Sequence, residues 1–400
     1  MEKSYWNKDM GRKLSICHVI TRMIIGGAQE NTLLTIIGHL EKGHKVTLIT
    51  GPTEGPEGKL LEKSCPKDLT IIELPSLIRS INPLKDLQAY FQLKAIFKKN
   101  KFDVVHTHAS KAGILGRIAA RHAGVPVVVH TVHGQAFHPY QAWYKNKLYI
   151  FTEKLAARYC DRIYAVAQAM IDQCVAAGVA KPEKYKVVYS GMRLNDFINQ
   201  KPEPELRQKL GIPTDCFVIG KIARLFELKG HDCLIESARI IVQKVPNVRF
   251  LLVGDGNLRT LLEEKIKNYK LEKYFVFAGL VAPSEVCRYT ALMDVLAHLS
   301  LREGLPRTAV QALASSIPVV AYPLDGTPEV VFDHKTGLLC PPEDIAKIAD
   351  ALIYLLEHEE IRKEYGRAGQ KLVRDLFDWH RMADILEQEY RKELEEKRKK

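Results

Sequence analysis

Glu303 and Gln311 stand eight positions apart in the stretch Ser-Leu-Arg-Glu-Gly-Leu-Pro-Arg-Thr-Ala-Val-Gln, which begins at Ser300. An apolar, strand-like run, Asp294 to Leu299, precedes it, and the helical spacing of Val310, Leu313 and Ala314 follows. Strand, tight turn, helix is the expected order. Gly304 permits close backbone approach, and Pro306 suits a first helical position because the N–H it lacks would have had no intrahelical partner. The new helix points free amides outward, and such an end attracts anions, phosphate above all. Gln311 is about two turns on and roughly on the Glu303 side. A carboxylate and a carboxamide around such an end can hold a sugar and a ribose on either side of a diphosphate.

In this pattern the chain resembles the retaining glycosyltransferases of the GT-B fold, glycosyltransferase family 4. Their signature is a glutamate, seven residues and a second glutamate; here the first is Glu303 and the second is replaced by Gln311. The resemblance runs from the Gly26-Gly27 loop to the C-terminal helix. It implies an α/β protein of two Rossmann-like, doubly wound parallel-sheet domains facing a central cleft, with a C-terminal helix crossing back to the first. It also implies sugar transfer from a nucleoside diphosphate donor with retention, without metal or other cofactor. By the same resemblance Glu303 holds hydroxyls of the transferred sugar, Gln311 the ribose hydroxyls, and Arg224 and Lys229 the donor diphosphate. Backbone of Gly304, Leu305 and Arg307 adds donors there, Gly26 and Gly27 lie near diphosphate and acceptor, and Leu280 and Val281 meet the base through their backbone. His133, in Thr131-Val132-His133, is expected close to the sugar, which makes Glu303, His133, Arg224 and Lys229 the catalytic set.

The residues support part of this by themselves. Arg224 and Lys229, five apart in Ala223 to Gly230, offer a forked guanidinium and a flexible ammonium at one loop, able to neutralise charge growing on a leaving group. Gly26-Gly27 follows the first strand, where open α/β sheets bind ligands. His106 and His108 alternate onto one strand face, which raises a metal site, but no carboxylate or cysteine completes a set; core or hydrogen-bonding roles are expected for His106 and His130. The aromatic stretch Phe137, Tyr140, Trp143, Tyr144, Tyr149 fits either a lipid-facing stripe or the packed face of a helix. Thr327-Pro328-Glu329 reads as a helix start, with Glu329 complementing its dipole.

Short β-branched runs alternate with helical patterns of about a dozen residues, the signature of parallel sheets. Strands are expected at Leu14–Thr21, Lys45–Thr50, Phe102–His108, Val127–Val132, Cys160–Ala165 and Val187–Tyr189. In the second half they are expected at Phe217–Ile222, Val248–Val253, Asp294–Leu299 and Pro318–Ala321, with a strand and loop over Phe275–Val281. Gly51–Lys67 reads as a mobile loop, Arg193–Pro213 as an interdomain linker and Gly337–Pro342 as a turn. The expected domains are 12–198 for the acceptor, 199–376 for the nucleotide sugar, and 377–400 as a helix packing back on the first.

Four hundred residues suit two domains of about 200 each. Eight scattered cysteines without a Cys-x-x-Cys pair point to a reducing compartment. The N-terminal residues lack the apolar core of a signal peptide, and no window reaches the ~18 apolar residues of a bilayer span. A cytoplasmic protein is expected, with peripheral association at the inner face of the plasma membrane open. The net charge of +12 is spread along the chain without nucleic-acid motifs, which argues against DNA or RNA. The basic end Arg391–Lys400 contains three glutamates and reads as a solvated helix end or a membrane-surface contact. The expected partners are a nucleotide sugar, with UDP and GDP forms indistinguishable, and a glycan or lipid-linked acceptor. Two alternatives stay open: a non-catalytic nucleotide-sugar-binding partner, and a GT-B epimerase or phosphorylase.

Overall fold

A computed structural model describes residues 11–53 and 60–399. The expected absence of a leader at the N-terminus and the centre of the Gly51–Lys67 loop lie outside these residues. The chain divides into two compact units, one formed up to Met192 and again from Trp379, the other by Arg193–Asp378.

The first unit carries β1 (Ser15–Ile20), β2 (Lys45–Thr50), β3 (Thr70–Glu73), β4 (Val104–His108), β5 (Val127–Val132), β6 (Arg162–Ala165) and β7 (Tyr185–Val187). They form one parallel sheet in the order β3-β2-β1-β4-β5-β6-β7. The second unit carries β8 (Phe217–Ile222), β9 (Val248–Val253), β10 (Phe275–Gly279), β11 (Val295–His298), β12 (Val319–Ala321) and β13 (Gly337–Leu339). Its parallel order is β10-β9-β8-β11-β12-β13. Both sheets reverse direction at the chain's first strand and the next one added on its other side, β1/β4 and β8/β11, and ligands of such sheets bind beyond the carboxyl ends there. Strands buried on both faces read as apolar runs, which is why most were legible.

Five segments differ from expectation. β3 lies at a sheet edge with Thr70, Ile71 and Glu73 exposed and only Ile72 half buried, so nothing there selects for an apolar run. Gly337–Leu339 is a strand and not a turn, paired with β12. Arg193–Pro213 holds two short helices, Leu194–Ile198 and Pro204–Lys209, that belong to the second unit, because Leu194, Phe197 and Leu206 are buried. Thr327–Glu329 is a single 3-10 turn behind Gly326, with Thr327 buried and not acting as a side-chain cap. Within the Gly51–Lys67 segment, Leu60–Ser64 is a short helix, tied down by the Leu60 amide on the Met23 carbonyl at 2.9 Å.

The final helix, Trp379–Arg398, seals the first unit. Trp379, Met382, Leu386, Tyr390 and Leu394 pack with Ile16, Val104, Val127, Val129 and Tyr164. It lies against helix Gly27–Glu41 so closely that a Cβ on Gly38 would sit 2.5 Å from that of Ala383. The basic end is partly neutralised internally, since Arg391 pairs with Glu387 at 2.7 Å and Lys397 with Asp161 at 2.7 Å. Among the described residues no helix is long and apolar enough to cross a membrane.

Glu387 also meets Lys42 at 2.8 Å and His44 at 3.1 Å. Burial pushes its carboxyl upward, but the hydrogen bonds from Lys42 and Arg391 and the charge of Lys42 outweigh that and hold it at about 2. A depressed carboxyl contributes stability above its unfolded value of about 4.3, and that contribution is lost as pH falls toward the folded value. Glu387→Gln should therefore destabilise the protein by on the order of 2 kcal/mol at pH 7. In urea titrations the difference should shrink progressively between about pH 4.5 and 2; a pH-independent difference would contradict the charge origin.

Candidate functional site

In the second unit, the loop leaving β8 is laid across the loop leaving β11. The Leu301 amide donates to the Leu228 carbonyl at 2.8 Å, with Leu228 in the left-handed region at φ 63°. Gly230 follows at φ 68°, and a Cβ there would lie 2.0 Å from the Leu299 carbonyl oxygen. This crossing brings Lys229 Nζ to 2.6 Å from Glu303 Oε1. The Glu303 amide in turn donates to Asp325 Oδ2 at 2.8 Å, pinning the loop to the chain after β12.

His298, the last residue of β11, donates or accepts through Nδ1 at 3.2 Å from Thr308 Oγ1, and its Nε2 is 3.7 Å from Glu303 Oε1. Burial drives the His298 imidazole down to about 4, against the attraction of Glu303, so it is neutral near pH 7. Burial would raise the Glu303 carboxyl, but the charge of Lys229 and the hydrogen bonds from Lys229 and Ser300 hold it below the usual range. Glu303 is thus an ionised, half-buried carboxylate able to accept hydrogen bonds. Lys221, one residue before the end of β8, is 2% exposed, and burial beside Lys229 lowers its ammonium to about 7.

Arg224 is exposed, its guanidinium 4.8 Å above the Phe226 ring. Its carbonyl accepts from His231 Nε2 at 3.0 Å, which sets the Nε2–H tautomer, and burial keeps His231 neutral, near 3, against the pull of that bond. The helix after Glu303 spans Arg307–Ala314, one residue later than expected, because Pro306 has ψ 82° and caps the helix from outside. Its first intrahelical amides, Ala309 and Val310, bond the Pro306 carbonyl. Arg307, Thr308 and Gln311 form its half-buried side, while Ala309, Val310, Ala312, Leu313 and Ala314 face the core. Gly304 and Leu305 lie in the turn before it. Leu280, 62% exposed, and Val281 follow β10 at the sheet edge, two strands from β8.

In the first unit, Gly26 is extended at φ 179° and caps helix Gly27–Glu41, its carbonyl accepting from Glu30 at 2.9 Å. His133 directly follows β5 and is half buried. Its Nε2 lies 3.1 Å from His108 Nδ1, and His108 Nε2 lies 3.0 Å from His18 Nδ1. His106 Nδ1 meets the Tyr390 hydroxyl, and its Nε2 lies 2.7 Å from Thr131 Oγ1. His130 Nδ1 is 3.0 Å from Thr107 Oγ1. Burial holds His18 at about 3 and His106, His108 and His130 well below the ordinary imidazole value. His18, His106 and His108 each have a nitrogen within 4.8 Å of the others, a spacing a metal could bridge. Both nitrogens of His106 and of His108 are already in hydrogen bonds, so a metal would have to break them.

Direct bonds therefore join Lys229, Glu303 and Asp325, and a separate one joins His298 to Thr308 on the Arg307–Ala314 helix. Arg224 shares only the loop. His298, Lys221, Thr308, Asp325 and His18 were not singled out from the sequence. A polar residue inside an apolar strand run was the available signal for Lys221, His298 and His18; Asp325 had none, since its partner is 22 positions away.

The aromatic stretch resolves differently from a packed face. Tyr144, Leu148, Phe151 and Leu155, spaced along one side of helix Trp143–Ala157, are all exposed, as are Tyr140 and Trp143, whereas Ala156 and Ala157 are buried. Leu84, Leu87 and Phe91 form a second exposed stripe on helix Pro83–Asn100.

Comparison with known proteins agrees with this architecture over both units. Residues 25–196 match the family described as Glycosyltransferase Family 4, and residues 202–372 match Glycosyl transferases group 1. The Escherichia coli UDP-Gal:alpha-D-GlcNAc-diphosphoundecaprenol alpha-1,3-galactosyltransferase is 30% identical over 370 residues, covering 92% of this chain and 94% of the relative. The Staphylococcus aureus capsular polysaccharide biosynthesis glycosyltransferase CapM is 27% identical over 335 residues, 82% of this chain and 87% of the relative. Anabaena HepE in complex with UDP and glucose superposes with a TM-score of 0.79 at 22% identity, covering 94% of this chain and 98% of that one. A Rickettsia africae glycosyltransferase superposes with a TM-score of 0.81 at 20% identity, over 96% and 99%. With paired sheets in Rossmann order, a glutamate held behind the β11 loop and similarity along nearly its whole length, the chain belongs to the family-4 glycosyltransferases of the GT-B fold.

Proposed function

We propose that the protein is a retaining, metal-independent hexosyltransferase that moves a sugar from a UDP- or GDP-linked donor to a glycan or lipid-linked acceptor in cell-surface polysaccharide biosynthesis. The observation that carries this is the Lys229–Glu303 pair, fixed where the β8 and β11 loops cross. The bond from the anomeric carbon to the diphosphate oxygen breaks, and the acceptor oxygen bonds that carbon from the same face. The acceptor proton passes to the departing phosphate oxygen. Lys229 and Arg224, with amides around Gly304, Leu305 and Arg307, meet the charge that develops on the diphosphate, which is the largest task in such a step. Glu303 accepts from hydroxyls of the transferred sugar, and His133 acts beside it. Gly26 and Gly27 approach the diphosphate and acceptor, and Leu280 and Val281 approach the base. The Escherichia coli relative, whose name specifies UDP-Gal and a diphosphoundecaprenol acceptor, favours a uridine donor and a lipid-linked acceptor.

Incubation with labelled UDP-Gal, UDP-Glc, UDP-GlcNAc and GDP-Man, polyprenyl-diphosphate-sugar acceptors and EDTA tests this. Transfer with α linkage, unchanged by EDTA, is expected with one donor. Donor binding without transfer or hydrolysis would favour a non-catalytic partner, and release of a free epimer or of sugar phosphate would favour an epimerase or phosphorylase.

Gln311 can accept a ribose hydroxyl through its carbonyl oxygen but without charge assistance, worth about 1 kcal/mol. Gln311→Glu should tighten UDP or GDP binding roughly fivefold by calorimetry. Turnover below that of the unaltered protein would contradict this role.

Peripheral membrane association fits the exposed Tyr144, Leu148, Phe151 and Leu155 stripe with Lys145, Lys147 and Lys154 beside it. Co-sedimentation with anionic phosphatidylglycerol vesicles should occur and fall about tenfold in a Leu148→Ser/Phe151→Ser variant. Equal sedimentation of both proteins would remove this helix from the membrane contact.

A further inference from the structure

The imidazoles of His133, His108 and His18 form a chain of two hydrogen bonds, 3.1 Å and 3.0 Å long, that runs inward from the end of β5. In such a chain of neutral rings each nitrogen either carries the proton or accepts one, so a single protonation choice sets all the others. The inner end decides. His18 is fully buried, and its Nε2 has no hydrogen-bond partner. A buried N–H left without an acceptor is costlier and rarer than a bare lone pair. His18 therefore carries its proton on Nδ1 and donates to His108 Nε2. His108 must then carry its proton on Nδ1 and donate to His133 Nε2.

We infer that His18 and His108 are positioning residues that hold the neutral form of His133 as the Nδ1–H tautomer. His133 Nε2 is consumed as an acceptor, and the ring's one donor is Nδ1–H. His106 does not divert the chain, because its nitrogens are taken by Tyr390 and Thr131. The rings lie close together: His106 and His108 have centroids 4.2 Å apart and tilted by 33°, and His108 and His133 5.3 Å apart at an interplanar angle of 28°. That the Nδ1–H serves a sugar hydroxyl rests on the transferase reading above; the tautomer does not.

Long-range proton–nitrogen correlation spectra of the full chain labelled with 15N-histidine test the tautomer directly, with His133 assigned by loss of its signals in His133→Gln. Pyrrole-type Nδ1 and pyridine-type Nε2 are expected for His133, His108 and His18. In His108→Leu the His133 signals should move to averaged tautomer shifts, and in His108→Asn, whose amide stands where Nδ1 stood and can still donate to His133 Nε2, they should stay. Turnover should fall about fivefold in the leucine variant with donor affinity within twofold, and the asparagine variant should recover most of it. A protonated Nε2 on His133, or stoichiometric metal in the purified protein whose removal shifts these signals, would overturn the inference. Absence of transfer with every donor would remove the transferase reading and leave the spectra to decide the tautomer.

Discussion

Replacing Lys229 by Met should lower turnover about 10²- to 10³-fold, the range seen when one preorganised donor to a developing anion is removed. Methionine keeps the length and apolar stem of lysine, so the change isolates the ammonium. That group does two things: it is expected to meet charge on the departing diphosphate, and it keeps Glu303 ionised from 2.6 Å away. It is also the largest of the influences that pull the Glu303 carboxyl down against burial. Without it, burial dominates and the carboxyl rises. If Glu303 must be a carboxylate to accept sugar hydroxyls, the acid limb of the residual pH–rate profile moves to higher pH in the variant. Initial rates followed by product chromatography from pH 5 to 9 measure both effects. A loss below threefold, or a deep loss with an unmoved acid limb, would separate Lys229 from the charge or from Glu303.

Gly230→Ala should cost on the order of 3 kcal/mol and abolish most activity together. The position is left-handed, and the new Cβ would approach the Leu299 carbonyl oxygen at 2.0 Å. The loop holding Arg224 and Lys229 would have to lift off the loop that leads to Glu303. Gly211 provides the control, because it has φ 67° but nothing within 4 Å of an added Cβ, so Gly211→Ala should lose only the strain of about 1 kcal/mol. Thermal melting should show a drop of roughly 5–10 °C for the first substitution and of 2–4 °C for the second. Equal losses would mean that backbone strain alone, and not the crossing of the two loops, sets the requirement for glycine at 230.

The strands Lys45–Thr50, Val127–Val132, Phe217–Ile222 and Val248–Val253 lie where hydrophobic runs place them, because a strand covered on both faces has no polar side to obscure it. β3 and β13 were not legible. One is a mostly exposed edge, and the other, Gly337–Leu339, is three residues that pair only because β12 is beside them. The short helices in Arg193–Pro213 carry just a few buried residues each, too few to mark a period.

Local chemistry was enough for the sequence by itself to determine an α/β chain of alternating elements, the placing of Glu303 before a helix, and the pairing of Arg224 and Lys229 on one loop, since each depends on neighbours along the chain. The tertiary structure alone decided that Lys229 meets Glu303, that Asp325 holds the Glu303 amide, that His298 and Lys221 stand behind them uncharged or easily discharged, and that three histidines from β1, β4 and the end of β5 form one chain. It also decided that Trp143, Tyr144 and Phe151 face outward. The reason is physical: parallel strands place residues tens of positions apart side by side at the carboxyl edge of a sheet, and burial and proximity there, which no local spacing records, set protonation and exposure.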